Sequence, residues 1–319
     1  MNVLVSGASG LIGSSLVPML TAGGHRVVEL RRGPATTHGP YATWNLDTGQ
    51  VDLSQAGPLD GVVHLAGENI AQRWTSGAKA RIRDSRVQGT QWLCEALAKL
   101  LHPPPVLVCA SATGIYGHRG DDILDEQSPP GTGFLADVCR EWEAAAEPTR
   151  ERAIRVVHLR LGVVLTAKGG ALAKMLPVIR LGLGGPLGSG QQYWSWIALD
   201  DALSAIVHCL KEERLAGPVN AVAPNAATNR EFTQALAAVL RRPAFVPVPA
   251  FAVRLLLGEM GREALLASAR VKPVRLTQSG FVFQFPELEP ALRHLLRSRP
   301  PGGCVSTEAA APSPGCDSS

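Results

Sequence analysis

Gly7-Ala8-Ser9-Gly10-Leu11-Ile12-Gly13 is the stretch whose reading decides the fold. Its glycines are spaced GxxGxxG. The residues before it, Asn2-Val3-Leu4-Val5-Ser6, read as a buried strand, and 11–21 reads as an amphipathic helix. A glycine-rich turn in that setting suits a dinucleotide pyrophosphate. Gly7 permits the tight turn, Gly10 lets phosphate approach the backbone, and Gly13 lets the helix pack on the strand. The free N–H groups of Ser9, Leu11, Ile12 and their neighbours at the helix start would face the phosphates.

Outward from this turn, short aliphatic runs at 26–30, 61–65, 106–110 and 154–161 read as strands, with helices over about 78–101 and 134–147. Strands rich in Val, Ile and Leu on both faces, each followed by a helix, indicate a parallel sheet covered on two sides. Right-handed crossovers make it doubly wound, a Rossmann sheet in an α/β protein. After Gly162 the rhythm changes. Residues 182–190 are too glycine-rich for regular structure, 200–211 reads as a helix, and Pro243, Pro247, Pro249 and Pro273 punctuate the C-terminal third of the chain. The expected organisation is a Rossmann domain over 1–165, with later elements to about 220 joining its core. A substrate/lid region and smaller C-terminal α+β lobe occupy 166–297. A disordered tail rich in Pro, Gly, Ser and Ala is expected over 298–319.

The 319 residues are 45% apolar and 18% charged, enough to bury a sizeable core. The net charge of +4 comes from scattered basic residues, so no nucleic-acid partner is expected. No apolar run approaches the ~20 residues of a membrane helix, so no membrane association is expected. The first residues already read as a strand, leaving no signal or transit segment, and the expected location is cytoplasmic. Cys94, Cys109, Cys139, Cys209, Cys304 and Cys316 form no CxxC pair and keep no metal-ligand spacing to a His. They read as free thiols, and no metal site is expected.

The end of the second strand selects the cofactor. An NAD site places an acid there for the ribose 2′-hydroxyl. Here Arg31-Arg32 stand at that end, about 18 residues after Gly13. A guanidinium pairs bidentately with a 2′-phosphate, which an acid would repel. Glu29, the competing acid, lies two residues too early. The reading is NADP(H). Leu65, Ala66 and Gly67 end the next strand, and the small residues there let adenosine and ribose lie against the backbone. His64 reads as a packed strand residue.

GASGLIG, HLAG, SATGIYG, RLGVVL and WIALDD, in that order, resemble the extended short-chain dehydrogenase/reductase family. Gly67-Glu68-Asn69-Ile70, Leu181-Gly182-Leu183-Gly184-Gly185-Pro186 and Asn220-Ala221-Val222-Ala223-Pro224-Asn225 resemble its atypical subgroup of epimerase family proteins. In that subgroup the C-terminal lobe carries a signature similar to Leu257-Gly258-Glu259 and Gly280-Phe281-Val282-Phe283. The resemblance runs from Met1 to about Leu296. It implies NADP contacts at the glycine turn, at Arg31-Arg32, at Leu65-Ala66 and on the following helix. That helix carries Asn-x-x-Gly-Thr in extended members, whereas here it reads Arg86-Val87-Gln88-Gly89-Thr90. Arg86 in place of Asn suits a cofactor phosphate or a substrate acid, and Arg81 shares that reading. The plain alternative for both is a solvated helix charge. Arg160-Leu161-Gly162 matches the backbone that family members place beside the nicotinamide. The resemblance also leaves a homodimer open.

Full members reduce a carbonyl with a Tyr and a Lys spaced YxxxK, helped by a Ser or Thr. No such pair follows Ser111. The segment that would carry it, Phe134-Leu135-Ala136-Asp137-Val138-Cys139-Arg140-Glu141-Trp142-Glu143, holds neither residue. Ser111 and Thr113 stand where the helper hydroxyl belongs, and Tyr116 follows, so these three are the catalytic candidates; for Tyr116 the resemblance also implies a structural role. Asp137 and Cys139 lie on the helix that lost the pair, and a packed cysteine is the plain reading of Cys139. The aromatic loop 188–197 reads as a lid over the substrate, with Trp194 and Trp196 as core packing the competing reading. Asp200-Asp201 read as a helix start. The expected function is an NADP-dependent oxidoreductase acting on a small carbonyl-type substrate. A non-catalytic NADP(H)-binding sensor or scaffold and a nucleotide-sugar epimerase are the alternatives.

Overall fold

A computed structural model describes residues 1–33, 41–45 and 48–297; the tail expected at 298–319, with Cys304 and Cys316, lies outside them. Eight strands form one sheet: β1 Asn2–Ser6, β2 Arg26–Arg32, β3 Tyr41–Asn45, β4 Gln50–Asp52, β5 Gly61–His64, β6 Val106–Ala112, β7 Arg155–Leu161 and β8 Gly217–Ala221. Their order is β8-β7-β6-β5-β1-β2-β3-β4, parallel throughout except for β3 against β4. The chain leaves β1 toward β2 and returns on the other side at β5. That reversal opens a crevice at the carboxyl ends of β1 and β5, where doubly wound sheets bind ligands.

Helices cover both faces. On one side α1 (Gly13–Ala22) and α5 (Leu199–Lys211) bury Leu16, Leu20, Leu203 and Ile206 against Val3, Val5, Val108 and Val157. On the other, α2 (Ser76–Ala98) and α3 (Phe134–Ala146) bury Leu93, Leu97 and Trp142 against Leu4, Val62, Leu107 and Val156. Alternate residues of one strand therefore feed two cores, which is why these strands are apolar throughout. The sheet takes β8 from beyond residue 165, and α5 packs on it, so the doubly wound core extends to Ala221.

The remainder packs beside the sheet around α4 (Gly170–Arg180), α6 (Asn229–Leu240), α7 (Ala250–Met260), α8 (Val274–Gln278) and α9 (Leu288–Arg297). A capping box between Thr228 and Glu231 starts α6. Here the lid expectation for the aromatic loop is corrected. Residues Tyr193–Trp194 and Trp196–Ala198 are strands, and Trp194 and Trp196 sit in the core of this lobe with Phe232 and Leu236. Their indole N–H groups donate to the carbonyls of Leu265 and Asn225. Large aromatic surfaces with a satisfied N–H are worth more buried than held over a cleft. Asp201 starts α5 and also receives the N–H groups of Gln284 and Phe285, tying the 280–285 segment to the sheet side.

Candidate nucleotide and substrate site

The glycine turn is built as its spacing requires. Gly7 has φ +69°, and a Cβ there would lie 2.8 Å from the Leu65 carbonyl carbon. The end of β5 therefore runs directly against the turn. A Cβ on Gly13 would lie 2.2 Å from Gly7 O, which is how closely α1 approaches β1. Gly10 N–H closes the turn on Gly7 O at 2.9 Å. Helix α1 has no side-chain cap and no acid in its first turn. Among the described residues the N–H groups of Leu11, Ile12 and Gly13 have no acceptor, while Ser14 N already bonds Gly10 O. Ser9, Gly10 and Leu11 are exposed. Open amides at an uncapped helix start form an anion site.

Strand β2 runs two residues longer than expected and carries Arg31 and Arg32 at its exposed end, one step past the end of β1 and paired with β3. Glu29 and Arg31 share a face, and Arg31 Nε donates to Glu29 Oε2 at 3.0 Å. The guanidinium also stacks on Tyr41, 3.6 Å from the ring centre. The bond from Glu29 raises the Arg31 pKa further. Glu29 is thus occupied by the arginine. Arg32 has no ion-pair partner among the described residues.

At the end of β5, Leu65 and Ala66 are half-buried and Gly67 is exposed. Beneath them runs a buried chain of polar groups that sequence reasoning did not connect. Ser6 Oγ accepts the Leu65 N–H at 3.2 Å and lies 2.6 Å from His64 Nδ1. His64 Nε2 lies 3.1 Å from Thr90 Oγ1, which also accepts Trp142 Nε1–H at 2.9 Å. The arrangement that satisfies these groups has Ser6 donating to Nδ1 and Nε2–H donating to Thr90. Burial holds the His64 pKa down to about 4, so the ring is neutral. The chain fixes both strand ends of the crevice to α2 and α3. Ser, His and Thr interrupting aliphatic segments were the only sequence signal for it.

The catalytic candidates separate. Ser111, at the end of β6, is 2% exposed and donates to Glu143 Oε1 at 2.7 Å. Arg160 Nε and Nη2 grip the two oxygens of Glu143 at 2.8 Å each, and Nη1 donates to Tyr116 Oη at 2.9 Å. The Tyr116 proton faces Asn220 Oδ1 at 2.8 Å and the Asp125 carbonyl at 2.9 Å. Tyr116 is 0% exposed, and burial, only partly opposed by Arg160, raises its pKa. Ser111 and Tyr116 are therefore joined in a buried Ser–Glu–Arg–Tyr–Asn network under the strand ends. The same pairing turns the Arg160 side chain inward and leaves only its backbone at the end of β7. Thr113, half-buried just past β6, has no hydrogen-bond partner among the described residues.

Helix α3 carries neither a Tyr nor a Lys. Cys139 is packed beside the Ala112 backbone, and burial pushes its thiol up to about 12, far from a nucleophile. Asp137 is exposed and pairs with Arg140. Leu135 lies in an apolar cluster with Trp74, Ile82, Phe134 and, from the C-terminal lobe, Leu257 and Met260. The lobe is anchored there by two carboxylates. Glu259 accepts Lys79 Nζ at 3.0 Å, and Glu263 accepts the Leu135 N–H at 3.1 Å, capping a helix with no cap of its own. Just before Glu259, Gly258 breaks α7 with φ 60°. The segment Leu257-Gly258-Glu259 thus packs the C-terminal lobe against α2 and α3.

The two helix arginines differ. Arg81 is exposed, with Nε 4.0 Å from Glu68 Oε1. Arg86 turns in against β5: Nη1 donates to Glu68 O and Ile82 O at 3.0 Å, and its guanidinium carbon would lie 3.1 Å from a Cβ on Gly67.

The fold and crevice define an NAD(P)-type doubly wound protein with a covering C-terminal lobe. The chain belongs to the NAD dependent epimerase/dehydratase family, whose profile matches residues 3–222; a domain of unknown function (DUF1731) matches residues 248–295. It is 41% identical over 292 residues to "Epimerase family protein Mb2239" of Mycobacterium bovis, covering 91% of this chain and 96% of that protein. It is 38% identical over 301 residues to human "Epimerase family protein SDR39U1", covering 93% and 100%. A crystal structure of human SDR39U1 (isoform 2) with NADPH superposes with a TM-score of 0.82 at 37% identity, covering 92% of this chain and 99% of that one. The subgroup suggested by the sequence motifs is therefore the right one. Among the described residues, no helix is long and apolar enough to cross a membrane.

Proposed function

We propose that this chain binds NADP(H) across the β1–β5 crevice and passes hydride between the nicotinamide and a small carbonyl compound. The observation that carries the reading is the pairing of open amides at Leu11, Ile12 and Gly13 with two guanidinium groups at the neighbouring strand end. Pyrophosphate takes the amides, with Gly7, Ser9 and Gly10 around it, and the 2′-phosphate takes Arg31 and Arg32. Leu65, Ala66 and Gly67 lie along the ribose, and the backbone of Arg160-Leu161-Gly162 lies toward the nicotinamide. Arg81 borders the same edge from solvent. The NADPH in human SDR39U1 supports this assignment. When bound, the cofactor supplies the hydride. With Ser111 and Tyr116 sealed, Thr113 is the hydroxyl left to hydrogen-bond the carbonyl oxygen, and water supplies the proton to the resulting alkoxide.

The test measures NADPH and NADH affinity by fluorescence in the wild type and in Arg31→Glu/Arg32→Glu. Losing charge-assisted contacts should weaken NADPH by roughly ten- to a hundredfold and leave NADH within a few-fold. Equal wild-type affinity for the two would overturn the cofactor assignment. An NADPH-oxidation screen over carbonyl compounds tests the reaction. Silence with cofactor bound would favour a non-catalytic NADP(H) sensor or scaffold. One observation supports that second reading: Leu135 and Cys139 pack where α3 would need an acid and a base. Pull-downs with and without NADPH would then distinguish it. A nucleotide-sugar epimerase needs an active-site Tyr, which this crevice does not present.

A further inference from the structure

The N-terminal half of helix α2 carries four cations, Lys79, Arg81, Arg83 and Arg86. Three have carboxylate partners: Glu259, Glu68 and Glu141. Arg86, more buried than the others, has none. Its Nη1 is spent on two backbone carbonyls, and Nε and Nη2 have no acceptor among the described residues. Glu68, the nearest acid, gives Oε1 to Gln72 and faces Arg81. The guanidinium lies between Gly67 at the end of β5, Trp142 with its ring centre 5.1 Å away, and Cys139 beside Ala112 at the end of β6. A partly buried charge with half its donors open is costly unless an anion completes it. The phosphates of a dinucleotide belong on the far side of Gly7, at the start of α1 and the tip of β2. Arg86 instead stands beyond β5, toward β6, where a substrate meets the nicotinamide end.

We propose that Arg86 is a specificity residue that binds an oxyanion, carboxylate or phosphate, on the substrate. The inference rests on the NADP(H) oxidoreductase reading and narrows it to acidic carbonyl compounds. The planar fork suits either oxyanion bidentately. The neighbouring Trp142 provides a reporter.

The test titrates NADP⁺-loaded protein with matched probes, following Trp emission: pyruvate against pyruvamide, and dihydroxyacetone phosphate against dihydroxyacetone. At least one oxyanion should bind saturably, and its neutral partner about ten- to a hundredfold more weakly. Whichever acid binds identifies carboxylate or phosphate as the preferred group. Arg86→Asn, which also gives up the two carbonyl contacts and so melts somewhat lower, should lose that preference while keeping its NADP⁺ affinity. Arg86→Lys should keep part of it, and Arg83→Asn, on the outer face of α2, should keep all of it. No saturable response to either acid, equal binding of acids and neutral partners, or an acid response untouched in Arg86→Asn would overturn the proposal. So would Arg86→Asn weakening NADP⁺ by the same factor as the acid. NADPH consumption is followed separately. Acid binding without turnover would sink the reaction and spare Arg86, whereas turnover indifferent to charge would do the reverse.

Discussion

Glu143→Gln is the sharpest test of how the strand ends are held. The carboxylate receives Arg160 through two bonds of 2.8 Å and Ser111 through one of 2.7 Å. Its side chain is 13% exposed and that of Arg160 is 7% exposed. The amide keeps the shape and one acceptor oxygen but turns a donor toward the guanidinium and leaves a buried cation without a counter-charge. Breaking such a pair from one side costs about 3–5 kcal/mol. The remaining oxygen and the Tyr116 contact place the expected loss near the lower end, about 3 kcal/mol. That is a large share of the roughly 5–15 kcal/mol that stabilises a typical domain. Urea unfolding at fixed pH should show a lower midpoint with an unchanged slope. The companion variant Glu143→Leu/Arg160→Met removes both charges at similar volume and should lie within about 1–2 kcal/mol of wild type. A loss below about 1 kcal/mol in Glu143→Gln, or a double variant as unstable as the sum of its singles, would refute the reasoning.

Other outcomes stem from the same geometry. Gly13→Ala should favour α1 intrinsically by about 1 kcal/mol, yet its Cβ would lie 2.2 Å from Gly7 O, so α1 must shift and NADP⁺ affinity should fall at least about tenfold; unchanged affinity measured by fluorescence titration would count against a tight turn. His64 has a folded pKa of about 4 against 6.5 for the free side chain, so its contribution is whole above pH 6.5 and is lost as pH falls toward 4. The loss is on the order of 3 kcal/mol, and a pH series of unfolding curves on wild type and His64→Gln should show that slope only in the former. Lys79→Ala removes a pair whose side chains are 32% and 31% exposed, so global stability should drop by less than about 1 kcal/mol. Hydrogen exchange over 250–265 should rise in that variant, and unaltered exchange there would show that the pair does not hold the lobe.

The glycine spacing and the period of the aliphatic runs were sufficient for the doubly wound sheet and for the tight turn between β1 and α1. Those features are local: a turn with φ +69° at Gly7, a helix start, and a strand end nearby in sequence. The absence of YxxxK was equally legible, because it concerns the residues of one helix. The fates of Ser111, Tyr116 and Arg160 were not. Glu143, which engages Ser111 and Arg160, stands 32 and 17 residues from them, and Asn220 stands 104 residues from Tyr116. Only the packing of α3 on the sheet, and the pairing of β8 at its edge, decide that these groups satisfy one another. Trp194 and Trp196 went into the lobe's core for the same reason: their partners, Phe232, Leu265 and Asn225, arrive from distant segments. A linear pattern states which groups can donate, accept or pack. Which partner each one finds is settled by the energetic cost of leaving a buried polar group unmet, and that cost exists only once the chain has folded around it.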